Sequence, residues 1–261
     1  MVRSLTTALA TLLLLPRLLF AEPALDAETS FALLAPEADE APALLCALFE
    51  CEEPCGLLPL DQRVRHYLTW ADIFRAEGYD AALSLEIEQM ALAFYDHAGQ
   101  EPSLETLEKL LRDFPHATFL RNGLAWTTLI YRNDPELALT QFRGAARCIA
   151  SLDTLAWIYL ALGRKADALQ AILEALELAK EEETESGQFS TPLLYDHAGD
   201  IFFRNRLFAP AATAWAYAQG VLKRLAAELN LPPEDVADRL GYNDAFCREK
   251  YKAIRTLFPD L

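Results

Sequence analysis

Four histidines, five cysteines and a few close carboxylates are the residues whose types could support chemistry. Two histidines lie in a five-residue string that occurs twice, Tyr95-Asp96-His97-Ala98-Gly99 and Tyr195-Asp196-His197-Ala198-Gly199. On a helix, adjacent side chains diverge by about 100°, so neither His shares a face with the Asp before it. One His per copy is too few for a zinc site, and a common structural role is the expectation. The cysteines are Cys46, Cys51, Cys55, Cys148 and Cys247. The spacing of the first three is wrong for a zinc knuckle, and no His lies near them. A disulfide among Cys46, Cys51 and Cys55 is one reading, and free thiols are the other. Cys148 and Cys247 are flanked by helix-like sequence and read as packing residues. No Ser has the strand-turn-helix setting of a nucleophile elbow. Phosphate-binding Gly loops, His-Glu-x-x-His and calcium loops are also missing from the sequence. Glu181, Glu182 and Glu183 read as ordinary solvated charges. The expectation is a chain without catalysis, metal or cofactor.

The elements around these residues must be helices. The 261-residue chain is 52% apolar, with 39 acidic against 23 basic side chains and a formal charge of −16. That is enough apolar material for a core, and it excludes wholesale disorder and fibrous classes. The acidic balance argues against a nucleic-acid partner.

Residues 1–21 open with Arg3, run through an apolar stretch containing Leu12 to Leu15, and reach Ala21-Glu22-Pro23. This is the layout of a secretory signal, so export, with a periplasmic location, is expected. A retained membrane anchor is the alternative, although Arg17 interrupts a stretch already marginal for a span of roughly 20 residues. Residues 22–60 hold nine acidic side chains and no Lys or Arg, and form an acidic, cysteine-containing arm.

From residue 61 apolar residues recur at three and four. Val64, Tyr67, Leu68, Ala71 and Phe74 share one helical face. Further helices are expected over 81–95, 104–112 (capped by Ser103), 117–131 and 137–150. Leu152, Leu155, Tyr159 and Leu162 form the next face, ended by Gly163; Ala168, Ile172, Ala175 and Ala179 line the one after. Residues 181–187 read as a charged, polar gap, either a solvated loop or a frayed helix end. Tyr195, Ala198 and Phe202, a break at 204–207, and then Ala211, Trp215 and Ala218 complete the pattern. The small residues Ala156, Ala168, Gly199 and Ala211 stand where two helices must approach closely.

The string Leu155-Ala156-Trp157-Ile158-Tyr159, Leu162-Gly163, Ala168-Leu169, Ala175 resembles the tetratricopeptide repeat, with Ala156 in place of the usual Gly. Ala198-Gly199-Asp200-Ile201-Phe202, Ala211, Trp215 and Ala218 look like a second copy, with Arg206 where the inter-helix Gly is expected. Leu124-Ala125-Trp126 with Ala138, Phe142 and Ala145, and Ala71, Phe74, Gly78-Tyr79 and Ala82, look like degenerate copies. The arrangement is similar to exported bacterial repeat proteins. The resemblance implies an all-α fold, a short right-handed superhelix of antiparallel helix pairs over 61–220, clearest over 149–220. It also implies a groove for protein or peptide segments, lined by first helices. Arg121, Asn122, Thr127, Asp153, Trp157, Asp196 and Asp200 are its candidate residues. In the competing reading, Trp157 packs under a neighbouring helix and the aspartates cap or solubilise.

Residues 221–261 carry seven basic and seven acidic side chains. Val236-Ala237, Leu240-Gly241-Tyr242, Asp244, Phe246 and Arg248 faintly resemble half of a helix-turn-helix, with Lys250, Lys252 and Arg255 able to reach phosphates. A helical pair capping the last repeat is the expectation. The whole reads as a non-catalytic protein- or peptide-binding scaffold of the bacterial envelope, its acidic groove suited to basic segments, with no nucleic-acid partner and no membrane span after signal removal. The alternative is a structural component of an envelope assembly.

Overall fold

The computed structural model describes residues 59–76, 78, 81–97, 102–186, 191–240 and 242–259. Every regular element among them is helical. The expected signal, the acidic arm and Cys46, Cys51 and Cys55 lie outside the described residues. The chain divides into two compact units, Met1–Leu124 and Ala125–Leu261.

In the first unit α1 (Leu60–Ala76) and α2 (Ala81–His97) pack on one another, followed by α3 (Leu104–Asp113) and the start of α4 (Thr118–Thr127). Val64, Leu68, Ala91, Tyr95, Leu107, Leu110 and Leu120 are buried together. Ser103 caps α3, its hydroxyl accepting from the Thr106 amide at 3.1 Å. Glu88 is fully buried, paired with Arg75, and accepts from the Phe119 amide at 2.6 Å, so a carboxylate from α2 sits on the N-terminus of α4.

The second unit begins in α4, which passes into a π-helical segment at Thr128–Arg132 instead of running on as α-helix. This segment places Ile130 and Tyr131 in solvent. Asn133, with φ 52°, ends it, and Asp134 caps α5 (Pro135–Phe142) by accepting from the Leu137 amide. A helix to residue 150 was the expectation; α5 stops at Phe142 because Gly144 turns left-handed at φ 82°.

Then come α6 (Ile149–Ala161), α7 (Lys165–Ser186), α8 (Pro192–Arg204), α9 (Phe208–Glu228), α10 (Pro233–Arg239) and α11 (Asp244–Leu257). Three-residue reversals join α6 to α7 and α8 to α9, and each pair packs along its length as an antiparallel pair. In addition, α7 packs on α8, α6 touches α8, and α11 lies on α9. Ala156, Ala168 and Ala211 have no exposed surface, as their size and position led us to expect.

The ends of α6, α8 and α9 share one hydrogen-bond pattern. Arg164 N–H reaches Tyr159 O, Leu207 N–H reaches Phe202 O, and Leu231 N–H reaches Ala226 O, each at 2.8–2.9 Å. Gly163, Arg206 and Asn230 supply the left-handed residue at φ 74°, 62° and 51°. These are three Schellman turns, and Arg206 does the work of the expected glycine.

Of the two readings of the run from residue 181, the helix end holds and the loop does not: α7 continues to Ser186. Glu183 explains the extra turns. It accepts from Tyr195 Oη at 2.5 Å and Tyr217 Oη at 3.2 Å, tying the end of α7 to α8 and α9.

Candidate functional site

Within the second unit, polar side chains of four helices converge. On α8, Asp196 and Asp200 are one turn apart and share a face, with His197 beside them. Lys250 of α11 places Nζ 2.6 Å from Asp196 Oδ1 and 2.8 Å from Asp200 Oδ1. Trp215 of α9 donates Nε1–H to Asp200 Oδ1 at 3.2 Å, and its ring lies 5.5 Å from the Lys250 ammonium. That indole rests on Gly199, where a Cβ would come within 2.5 Å of Cδ1 and 2.8 Å of Cε2. Only glycine admits the approach.

On the other side of α8, His197 Nδ1 lies 2.8 Å from Asp153 Oδ2 of α6. Its ring packs edge-on to Trp157 at 5.1 Å and tilted to Trp126 at 6.0 Å. Asp153 Oδ1 and Trp157 Nε1 are buried and make no hydrogen bond. Beneath Lys250, the Cys247 thiol is fully buried against the Trp215 carbonyl, and burial pushes it up to about 12.

The charges follow from this packing. Burial opposes the imidazolium of His197, but Asp153, then Asp196 and Asp200, outweigh it and hold its pKa above the ordinary value. Burial likewise opposes the Lys250 ammonium and is overcome by the same two α8 carboxylates. Asp200 is pushed upward by burial, with Lys250 pulling against it. His197 and Lys250 therefore stand between Asp153, Asp196 and Asp200. Apart from Asp153 Oδ1 and Trp157 Nε1, the polar groups described bind one another, and the arrangement pins α6, α8, α9 and α11 together.

Of the sequence candidates, the structure brings Asp153, Trp157, Asp196 and Asp200 into this cluster. Thr127 is half-buried at the end of α4. Arg121 and Asn122 belong to the first unit, where Arg121 donates to the Pro115 carbonyl at 3.0 Å and Asn122 is buried. The participation of His197, Lys250, Trp126 and Trp215 was not foreseen. Lys250 enters the sequence reading only through the disfavoured helix-turn-helix alternative, and nothing local signals a partner 50 residues away. No group of three His, Cys, Asp or Glu among the described residues is arranged to hold a metal ion, and no described helix is long and apolar enough to cross a membrane.

A second feature lies where the α8–α9 reversal meets the end of α11. Phe208 stacks on Phe258 at 4.6 Å between ring centroids, and Phe203 lies 5.6 Å from Phe208. Phe203, Leu207, Leu257 and Phe258 are all exposed, Leu257 by 67%. An open cavity of about 490 Å³ is lined by Lys223, Ala226, Ala227, Asn230, Leu231, Pro232 and Pro233.

No family model, no curated protein and no solved structure matches the chain.

Proposed function

We propose that the chain is a non-catalytic scaffold that holds a protein or peptide segment in the bacterial envelope, built on a short right-handed superhelix of tetratricopeptide-like helix pairs. One observation carries the reading: α6 packs both on its own partner α7 and on α8, the first helix of the next pair, while α7 also packs on α8. Helix pairs that stack in this way bury one another's apolar stripes and leave a face of first helices for a guest. The matching turns after α6 and α8 support it, as do the small residues Ala156, Ala168, Gly199 and Ala211 at the crossings. A polar cluster whose side chains bind one another supports a holding role over a chemical one. Export through residues 1–21 belongs to the same proposal.

The full chain, immobilised, is offered an extract of bacterial envelope proteins beside a Trp157→Ala, Asp200→Ala form whose helicity has been checked by circular dichroism. A partner held by the parent and lost from the folded variant supports segment binding on the α6/α8 face. Equal capture by both removes that face from the proposal. Capture of nothing by either overturns the scaffold reading.

A further inference from the structure

We infer that the exposed aromatic edge formed by the α8–α9 reversal and the end of α11 is a docking surface for an acidic polypeptide segment carrying Leu or Phe side chains. The inference rests on the scaffold reading but reverses the charge of the expected guest. The α8 carboxylates that would attract a basic segment are occupied by Lys250 and share their side of α8 with Trp215. A group of unpaired positive charges lies elsewhere, at the α8–α9 reversal and the end of α11.

Phe203, Phe208 and Phe258 are joined through the 5.6 Å and 4.6 Å ring contacts, and Leu207 and Leu257, their neighbours in sequence, are exposed as well. Exposed aromatics joined in this way mark interaction sites. Arg204 and Arg206 alternate with Phe203 and Leu207 along the reversal, and Arg255 lies one turn before Phe258 on α11. Lys165 stands beside them, since the Asn205 side chain donates to its carbonyl. Among the described residues, Lys165, Arg204, Arg206 and Arg255 have no ion-pair partner. Residues 203–210 and 251–259 contain no carboxylate; Asp260 lies outside the described residues. Unpaired cations clustered around apolar rings are unusual on a chain of formal charge −16. Arg beside exposed aromatics is also the composition of interface centres. Carboxylates from a guest would complete the guanidiniums while its apolar side chains cover the rings.

A random-peptide display library is selected against the full chain and against the Arg204→Glu, Arg206→Glu form, with phosphatidylglycerol vesicles as a parallel probe. Both substitutions lie in solvent, so the fold is retained. The parent enriches acidic peptides with Leu or Phe, and the variant loses that enrichment by about tenfold or more. Phe258→Ala in a second variant lowers it while leaving the charge intact. Enrichment of peptides without acidic residues, or enrichment that both variants retain, overturns this edge and leaves the scaffold reading standing. Enrichment of nothing by the parent removes both. Charge-dependent vesicle binding without peptide enrichment overturns the inference in favour of a membrane surface.

Discussion

Gly199 and Trp215 are in direct contact across the α8–α9 pair, with the indole lying where any other residue would carry its Cβ. The same indole donates to Asp200, so the glycine fixes the position of a polar contact as well as the helix spacing. Gly199→Ala is expected to cost about 2–3 kcal/mol through overpacking, more than alanine's helix propensity returns. Urea unfolding of the two forms measures it; a variant of equal or greater stability would show that the helices separate freely.

Removing the cation from the cluster has a pH signature. Lys250→Met leaves Asp196 and Asp200 buried without a counter-charge, at an expected cost of about 3–5 kcal/mol near pH 7. The Asp200 carboxyl is already held above its usual range by burial, so it takes up a proton early as pH falls. The deficit should therefore shrink between pH 7 and pH 4.5. Denaturant curves at both values test this, and a pH-independent deficit argues that Lys250 acts through packing alone.

His197 titrates in the opposite sense. Its folded pKa lies above that of the unfolded chain, so the ion pair with Asp153 contributes its full stability below about pH 6.5. That contribution is lost as pH rises through the folded value. Calorimetry should show a melting temperature declining from pH 6 to pH 8.5, and a shallower decline in His197→Asn. Parallel slopes would assign the change to other groups.

In the first unit, Glu88→Ala removes the acceptor of the Phe119 amide and a partner of Arg75. It is expected to cost about 3 kcal/mol, against about 2 kcal/mol for Glu88→Gln, whose single carboxamide oxygen keeps one of the two donors and turns an NH2 toward the other. Equal losses in the two variants would show that the one acceptor Gln keeps stabilises nothing without the charge.

The reversals separate backbone strain from packing. A Cβ on Gly163 would meet no atom within 4 Å, so the cost of Gly163→Ala, about 1 kcal/mol, comes from φ 74° alone. At Arg206 the reverse change to Gly should raise stability by about 0.5 kcal/mol, the relief of strain exceeding the entropy glycine loses on folding. Thermal unfolding of the pair of variants reads both signs, and a neutral Gly163→Ala would refute the strain argument.

Spacing alone placed Ala168, Ile172, Ala175 and Ala179 on one buried face of α7, because a 3.6-residue period is a local property. The end of α7 is ambiguous in the sequence for the complementary reason. Residues 181–187 look solvated by composition, and only the tyrosines of α8 and α9 show why the helix continues. The π segment at Thr128–Arg132 leaves no periodic trace, since one extra residue per turn is invisible in so short a run. In the polar cluster, Asp196 and Asp200 were legible as one face of α8. Their cation was not, because its position depends on how α11 folds back over α9. At Arg206 the expected glycine is absent, yet the backbone adopts the same left-handed geometry there.

The 50-residue separation of Asp200 and Lys250 also sets an order in time. A chain leaving the ribosome N-terminus first presents α8 with its two carboxylates well before their counter-ion has been made. At typical synthesis rates the delay is roughly 3–10 s, long compared with the formation of the helices themselves. During that interval α6 to α9 can pair through their apolar faces, but the carboxylates of α8 have reason to remain in water. Arrival of α11 is then the event that dries the cluster and locks the second unit.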